Sequence, residues 1–248
     1  SSCSEYSSQI GIDVLKAGGN AVDAAVATAF AIGVVEPNLS GVGGCGMMNI
    51  YLKDTNEYII LEYMETVPKA VTPGWFNKDE DSYTAKNAAV PSQVNGLLTA
   101  LEKYGTMSRQ EVMAPAIKLA KEGFKMDSRL AGAIADNFDL FSEPGKEYLL
   151  ELYTNGGIPY SEGDLFKNED LANTLQAIAD GGIDEFYKGD LAKKIVDGLR
   201  AGGSLITMED MKDYEAAIRE PIKTTYHGYE VIAPPAPSNG GDWLLETL

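Results

Sequence analysis

The segment from Ala21 to Val35 is the most apolar run in the chain, and it restricts the folds that the chain can adopt. Asp23 and Thr28 interrupt this run, and Pro37 follows it closely. A membrane-spanning helix needs about 20 apolar residues, so the run is too short to cross a bilayer. The pattern therefore predicts a helix buried inside a protein core, with Asn20 as its N-cap.

Composition and charge narrow the class of protein. Hydrophobic residues make up 44% of the 248 residues, which is enough to build the core of one large domain. No segment rich in Pro, Gly and Ser divides the chain, so one domain is expected. The net charge of −17 repels phosphate backbones and anionic lipid headgroups, so nucleic acid is not an expected partner. We interpret the spread acidic excess as a solvated surface.

The cysteines and the histidine give little support for a metal site. Cys3, Cys45 and His227 are the only residues of their types. Two thiols and one imidazole fall short of the four ligands of a structural zinc site, so we expect no metal and no cofactor. The sequence does not give the distance between the two sulfur atoms, so a disulfide between them stays open.

Helical periodicity predicts several further helices. Apolar residues recur at helical spacing in residues 7–16, 94–101, 171–178 and 191–199. Ser108 with Glu111 is a capping-box pattern that opens another helix, and Pro115 predicts a kink or a restart within it. Gly-Gly pairs are interpreted as helix stops; they begin at Gly18, Gly156, Gly181, Gly202 and Gly240.

Alternating patterns predict two β-hairpins. In the first, residues 48–52 and 59–63 flank a turn at residues 54–56. In the second, two short strands flank His227-Gly228, because both residue types tolerate positive φ.

The segment Gly41–Gly46 satisfies the spacing of a dinucleotide-binding fingerprint. That fingerprint must follow a strand and open a helix. Here a predicted helix precedes the glycines and a predicted strand follows them. A tight loop is therefore the preferred interpretation.

This chain alone does not contain a complete set of catalytic groups. His227 lies in a predicted surface turn and is interpreted as structural rather than as part of a Ser-His-Asp triad. Cys45 has no histidine near it in sequence, and Glu62 with Glu65 is a common arrangement of acids at a strand end. We therefore expect no catalytic residue among residues 1–248.

Several segments resemble the γ-glutamyltranspeptidase family, and they occur in the order typical of that family. These segments are Leu15–Ala27, Glu36–Pro37, Ser40–Gly44, Val90–Pro91, Gly96–Leu97, Tyr104–Thr106, Ala114–Ile117, Glu122–Phe124, Ile206–Met211, Tyr214, Tyr226–Val231 and Pro234–Gly241. The resemblance covers nearly the whole chain.

The resemblance implies an α+β fold of the αββα Ntn-hydrolase type, with this chain mostly helical and its β-hairpins contributing to the central sheet. It also implies a precursor that cleaves itself into a large and a small subunit. The new N-terminal threonine of the small subunit is the nucleophile, and its α-amine is the base. Residues 1–248 are then an incomplete large-subunit region that lacks the C-terminal remainder, and the small subunit is the expected partner.

One position departs from the family's pattern. Family members that take glutamyl donors usually carry an arginine before a glutamate, and its guanidinium can bind the donor α-carboxylate. In Glu62–Thr66 this position is Met64. Our hypothesis is that the donor differs from a free γ-glutamyl group, or that another cation such as Lys69 substitutes. The residues expected to bind substrate are Gly43, Gly44, Glu62, Met64 and Glu65; for the glycines, a role in packing alone stays equally open.

The resemblance implies a hydrolase or acyltransferase that attacks a γ-glutamyl or related small-molecule amide through an acyl-threonine intermediate. Two alternatives stay open. The first is an acylase, amidohydrolase or polyglutamate depolymerase of the same fold, and the second is a non-catalytic scaffold or binding protein. The resemblance favours an extracytoplasmic location, secreted or periplasmic, whereas the sequence itself leaves the compartment open.

Overall fold

A computed structural model describes all residues, 1–248, as helices joined by loops and short antiparallel strands. The helices are α1 (Glu5–Lys16), α2 (Ala21–Val35), α3 (Lys78–Asp81), α4 (Gln93–Tyr104), α5 (Arg109–Glu122), α6 (Ser128–Asp136), α7 (Phe138–Phe141), α8 (Glu147–Tyr153), α9 (Glu169–Tyr187), α10 (Asp190–Ala201), α11 (Met208–Lys212) and α12 (Asn239–Thr247). The strands are β1 (Gly46–Leu52), β2 (Glu57–Tyr63), β3 (Phe124–Lys125), β4 (Thr154–Asn155), β5 (Ile158–Pro159), β6 (Leu165–Phe166), β7 (Ala217–Arg219), β8 (Ile222–Tyr226) and β9 (Tyr229–Ala233).

The chain divides into two compact units, each made of two stretches of sequence. The first unit contains Ser1–Gly41 and Gly105–Gly182, and the second contains Val42–Tyr104 and Ile183–Leu248.

The core of the first unit is built around α2, which packs against α1 and α5. The predicted buried helix is confirmed, because Val26, Ala27 and Ala31 are fully buried. The predicted cap is also confirmed. The Asn20 side chain accepts hydrogen bonds from the backbone N–H groups of Val22 and Asp23, which stabilises the start of the helix.

The second unit contains a three-stranded antiparallel sheet in the order β1-β2-β7. Helix α4 packs on β2 and contributes Val94, Leu97 and Leu98 to the core. Strands β8 and β9 form a separate hairpin, which confirms the prediction made from His227-Gly228. These two residues adopt φ angles of 48° and 84°, as a tight two-residue turn requires.

Helix α5 runs through Pro115 without restarting, and its buried face, which includes Val112 and Ala116, packs in the core and offsets the lost hydrogen bond. Two predictions of helix stops at glycine pairs were wrong. Gly156-Gly157 joins the two-residue strands β4 and β5 in a turn with positive φ, rather than ending a helix. Gly240-Gly241 lies inside α12, where Gly241 approaches Pro234 so closely that a side chain would not fit.

The predicted helix stop at Gly181-Gly182 is confirmed. Gly182 has φ 70° and ψ −153°, which are not helical angles, so the first helical stretch of α9 ends at this pair and a second stretch runs beyond it to Tyr187. The predicted α+β character is confirmed, because helices predominate and every sheet is small and antiparallel. No helix has the combination of length and apolar sequence that crossing a membrane requires.

Candidate functional site

The predicted substrate-binding residues lie at one end of the β1–β2 hairpin. Gly46, the first residue of β1, pairs with Tyr63, the last residue of β2. The glycine loop therefore enters the sheet where Met64 and Glu65 leave it. The structure thus brings the two predicted groups, Gly43-Gly44 and Glu62–Glu65, to the same edge of the second unit.

The carbonyl oxygen of Gly44 fixes the glycine loop against the start of α4. It accepts hydrogen bonds from the backbone N–H groups of Ser92 at 3.1 Å and Gln93 at 2.8 Å. The first N–H groups of a helix have no partner inside that helix, so this carbonyl satisfies donors that would otherwise be unpaired. The Ser92 hydroxyl lies 2.7 Å from the Tyr63 carbonyl and 3.1 Å from that of Gly44, which ties the strand end to the loop.

The ring of Tyr63 packs between two glycines behind this edge. A Cβ atom at Gly96 would lie 2.0 Å from Tyr63 Cγ, and one at Gly46 would lie 2.8 Å from Tyr63 Cε2. Only glycine allows so close an approach at these two positions. Burial raises the pKa of Tyr63 to about 12, so its phenol is neutral at physiological pH.

The carboxylate of Glu62 is paired with Arg219. The Arg219 Nε donates to Glu62 Oε2 at 2.9 Å, and its Nη2 lies 3.5 Å from Oε1. Arg219 belongs to β7 and pairs with Ile60, so its side chain and that of Glu62 share one face of the sheet. The side chain of Glu62 is 12% exposed and that of Arg219 is 50% exposed, so the ion pair faces solvent on the arginine side.

Glu65 is exposed and lies beside the thiol of Cys45. Although Cys45 is exposed as a residue, partial burial of its thiol and then a hydrogen bond with the Glu65 carboxylate raise its pKa to about 11. The thiol is therefore protonated at neutral pH, and a protonated thiol is a poor nucleophile. Cys3 and Cys45 are both free, so they do not form a disulfide.

Lys69, the alternative cation named from the sequence, is already paired with acidic residues. Its Nζ contacts Asp213 and lies 3.3 Å from Glu209, and its backbone N–H donates to Asp210 at 3.0 Å. The hydrogen bond to Asp213 is the main reason that the pKa of Lys69 is raised. These contacts direct the ammonium group towards α11 and the residue that follows it.

Sequence reasoning assigned no role to several residues that shape this edge. Arg219 neutralises Glu62, Ser92 joins Gly44 to Tyr63, and the Tyr214 hydroxyl donates to the Met64 carbonyl at 2.9 Å. The Tyr214 contact joins residues 150 positions apart. No local pattern predicts such a contact.

The structure gives no catalytic role to His227 and shows no metal-binding cluster. His227 occupies the turn between β8 and β9, where its ring contacts Tyr226 with the ring centres 4.2 Å apart. No three His, Cys, Asp or Glu side chains are grouped so that they could hold a metal ion. The Cys45 thiol likewise does not supply an activated nucleophile at this end of the hairpin.

Comparisons with known proteins find similar sequences over nearly the whole chain. The family model described as gamma-glutamyltranspeptidase matches residues 7–248. The glutathione hydrolase proenzyme of Bacillus subtilis (strain 168) is 40% identical over 249 residues, which cover 97% of this chain and 42% of that protein. The acylase ACY 1 proenzyme of Pseudomonas sp. (strain SE83) is 36% identical over 255 residues, which cover 97% of this chain and 45% of that protein.

A solved structure with a similar fold comes from the same group of enzymes. The crystal structure of Helicobacter pylori γ-glutamyltranspeptidase aligns with a TM-score of 0.90 and 36% sequence identity, covering 98% of this chain and 71% of that one. The fold is therefore the Ntn-hydrolase fold of these enzymes. The chain spans less than half the length of the two curated relatives. Because the family model extends over almost all of its residues and a solved member has the same fold, the chain belongs to the γ-glutamyltranspeptidase family.

Proposed function

We propose that this chain is the large-subunit part of a hydrolase or acyltransferase that cleaves a γ-glutamyl or related amide. The nucleophile lies outside residues 1–248, and this chain forms one wall of the substrate pocket. The observation that carries the proposal is the convergence of Gly43-Gly44 with Met64-Glu65 at the end of the β1–β2 hairpin, in a chain of this family. This edge offers binding groups without an activated nucleophile, as expected of one wall of a shared pocket.

The proposed reaction proceeds through an acyl-threonine intermediate. The threonine hydroxyl oxygen attacks the amide carbonyl carbon, and the α-amine of the same residue takes the hydroxyl proton. That proton passes to the amide nitrogen as the C–N bond breaks, which releases an amine and leaves an ester. Water or a second amine then attacks the ester carbonyl, which frees the threonine.

The surroundings of Gly43 support its role in binding. Gly43 is exposed, its φ is not positive, and a Cβ atom built there would have no neighbour within 4 Å. Neither backbone conformation nor packing within this chain requires glycine there. A bound molecule or a second polypeptide that approaches the backbone closely would require it.

The exposed side of α12 supports a further polypeptide as partner. Trp243, Leu244 and Leu248 are 67%, 46% and 44% exposed. Together with Ile218 and Tyr229, which are 51% and 76% exposed, they leave much apolar surface in the second unit open to solvent. Because this chain covers less than half the length of its relatives, the proposed cover for these side chains is the remainder of the precursor. That remainder includes the small subunit, the proposed partner, which carries the catalytic threonine.

The charges around Met64 favour an acyl donor without a free α-carboxylate at this position. The Met64 thioether forms no ion pair with a carboxylate. Arg219 is already paired with the Glu62 carboxylate, and Glu65 is an exposed acid that would repel a donor carboxylate. The ammonium group of Lys69 is engaged by Asp213 and Glu209. An acylase is therefore the second candidate function, and the similarity to an acylase proenzyme favours it.

The experiment compares hydrolysis of a γ-glutamyl anilide and of anilides with neutral acyl groups by the full-length enzyme. If the charges around Met64 set the donor, as in the second candidate function, the wild type should prefer a neutral acyl group. Met64→Arg should raise kcat/KM for the γ-glutamyl anilide about tenfold or more, the size expected for a new charge-assisted hydrogen bond. Met64→Leu is the matched control and should leave this ratio unchanged.

The two parts of the proposal fail in different ways. Rapid wild-type turnover of the γ-glutamyl anilide that Met64→Arg does not change would contradict the proposed donor. Absence of turnover with every anilide, in protein that has been processed to two chains, would contradict the proposed enzyme activity.

A further inference from the structure

Met64 lies in a short backbone segment between two points of attachment. The β1–β2 ladder ends one residue earlier, at the pair of Gly46 with Tyr63. The next attachment is the bridge between Thr66 and Val90. Between these points, the Tyr214 hydroxyl donates a hydrogen bond of 2.9 Å to the Met64 carbonyl oxygen.

Tyr214 is itself held on several sides. It follows α11 by two residues, and its ring stacks on that of Tyr187 with the ring centres 5.9 Å apart and the planes 15° apart. The Tyr187 hydroxyl donates to the Pro91 carbonyl at 2.8 Å, so the supporting ring is also fixed. The Asn95 amide contacts the Tyr214 carbonyl at 3.4 Å and accepts from the Ala216 N–H at 2.9 Å. These contacts fix the position of the Tyr214 ring, and so of the hydroxyl that bonds to the Met64 carbonyl.

The Tyr214 hydroxyl lies among the acidic residues of the candidate site and remains a neutral donor. Burial is the main cause that raises its pKa to about 12. A hydrogen-bonding contact with Ser92 lowers the pKa, and the charges of Glu62 and Glu65 raise it. A phenol with this pKa keeps its proton at neutral pH, so it donates to the carbonyl and does not act as a base.

We propose that Tyr214 is a positioning residue for acyl-donor selection. Its hydrogen bond to the Met64 carbonyl holds the backbone of residue 64, and so fixes where that side chain meets the acyl group. Donor preference is then set jointly by the side chain at position 64 and by the hydroxyl behind it. This inference rests on the proposed function, because it requires the edge to contact the acyl donor.

The test is Tyr214→Phe in the full-length enzyme, which removes one hydroxyl and keeps the stacked ring. With the best anilide of the wild type, KM should rise at least fivefold, while kcat stays within twofold. Tyr83→Phe is the matched control, because Tyr83 is 72% exposed and should leave both constants unchanged. Thermal unfolding of both variants checks that the fold is retained.

A double-mutant cycle with Met64→Ala distinguishes positioning from a general structural effect. If Tyr214 acts through the side chain at position 64, the effect of Tyr214→Phe on KM should shrink below twofold in the Met64→Ala background. An equal effect in both backgrounds, an unchanged KM in the single variant, or a fall in kcat as large as the rise in KM would overturn the positioning role. A wild type without turnover would instead contradict the proposed function.

Discussion

At the scale of single residues, Tyr63 and Gly96 show why a glycine in a helix can be essential. The Tyr63 ring occupies the place where a side chain at position 96 would lie. Gly96→Ala should therefore force the ring or α4 to move and lower the free energy of unfolding by about 1–3 kcal/mol or more. Gly198→Ala in α10 is the control. It has open space around its Cβ position, so it should be neutral or stabilise by about 0.5–1 kcal/mol. Equal unfolding temperatures for the two variants would contradict this packing.

Gly43 should respond in the opposite way to Gly96. Because nothing in the chain lies within 4 Å of its Cβ position, Gly43→Ala should change the free energy of unfolding by less than about 0.5 kcal/mol. If an acyl group or the small subunit approaches the backbone here, the same substitution should lower kcat/KM of the full-length enzyme about tenfold. Full activity in a normally folded variant would show that Gly43 has no binding role.

At the candidate site, the sequence identified residues expected to bind substrate but not the residues that hold them in place. The family resemblance singled out Gly44, Met64 and Glu65, and the β1–β2 pairing in the structure brings them to one end of the hairpin. The residues that hold them, Ser92 and Tyr214, lie on distant parts of the chain, and their contacts arise from tertiary packing. Sequence periodicity describes neighbours along one element, so it carries no information about these contacts.

At the scale of elements, Asp23 joins the start of α2 to the loop before α5. Its fully buried carboxylate accepts hydrogen bonds from the Asn20 N–H, from the Thr106 N–H and hydroxyl, and from the Met107 N–H. Burial alone would raise the pKa of Asp23, but these donors lower it below the usual value. The charged form is therefore favoured in the folded protein.

Asp23 should contribute to acid sensitivity. Its pKa is lower folded than unfolded, so its stabilisation is complete above the unfolded value of about 4 and is lost as pH falls through the folded value. Asp23→Asn should lower the free energy of unfolding by about 1–3 kcal/mol at neutral pH and reduce its decline below pH 4. Asp127→Asn, which keeps a good N-cap on α6, is the control. Unfolding measured from pH 3 to pH 7 gives the answer; identical slopes for the wild type and Asp23→Asn would contradict this role.

Elements with strong caps and long apolar stripes could be predicted from the sequence, whereas short ones could not. Helix α2 has Asn20 as cap and fifteen residues of nearly continuous apolar sequence, so both its start and its burial were predictable. Strands β4 and β5 have two residues each, too few to show alternation, so Gly156-Gly157 could not be recognised as their turn. At Pro115, packing outweighed a local preference.

At the scale of the whole molecule, the chain combines a solvated acidic surface with exposed apolar side chains on α12. A net charge of −17 accounts for the acidic surface, but it does not explain why Trp243 is 67% exposed. If the small subunit covers α12, Trp243→Glu in the full-length protein should weaken subunit association, because it places a charge in an apolar interface. Gel filtration should then show separate subunits at concentrations where the wild type elutes as one complex. An unchanged elution profile would show that α12 does not contribute to the subunit interface.

The nucleophile of the proposed enzyme belongs to another part of the same precursor. Intact mass measurement of the mature full-length protein tests it directly. We predict two polypeptides whose masses sum to that of the precursor plus one water, because the cleavage hydrolyses one peptide bond, with threonine at the N-terminus of the smaller one. A single uncleaved polypeptide that hydrolyses amides, or a cleavage that exposes no threonine, would contradict the account.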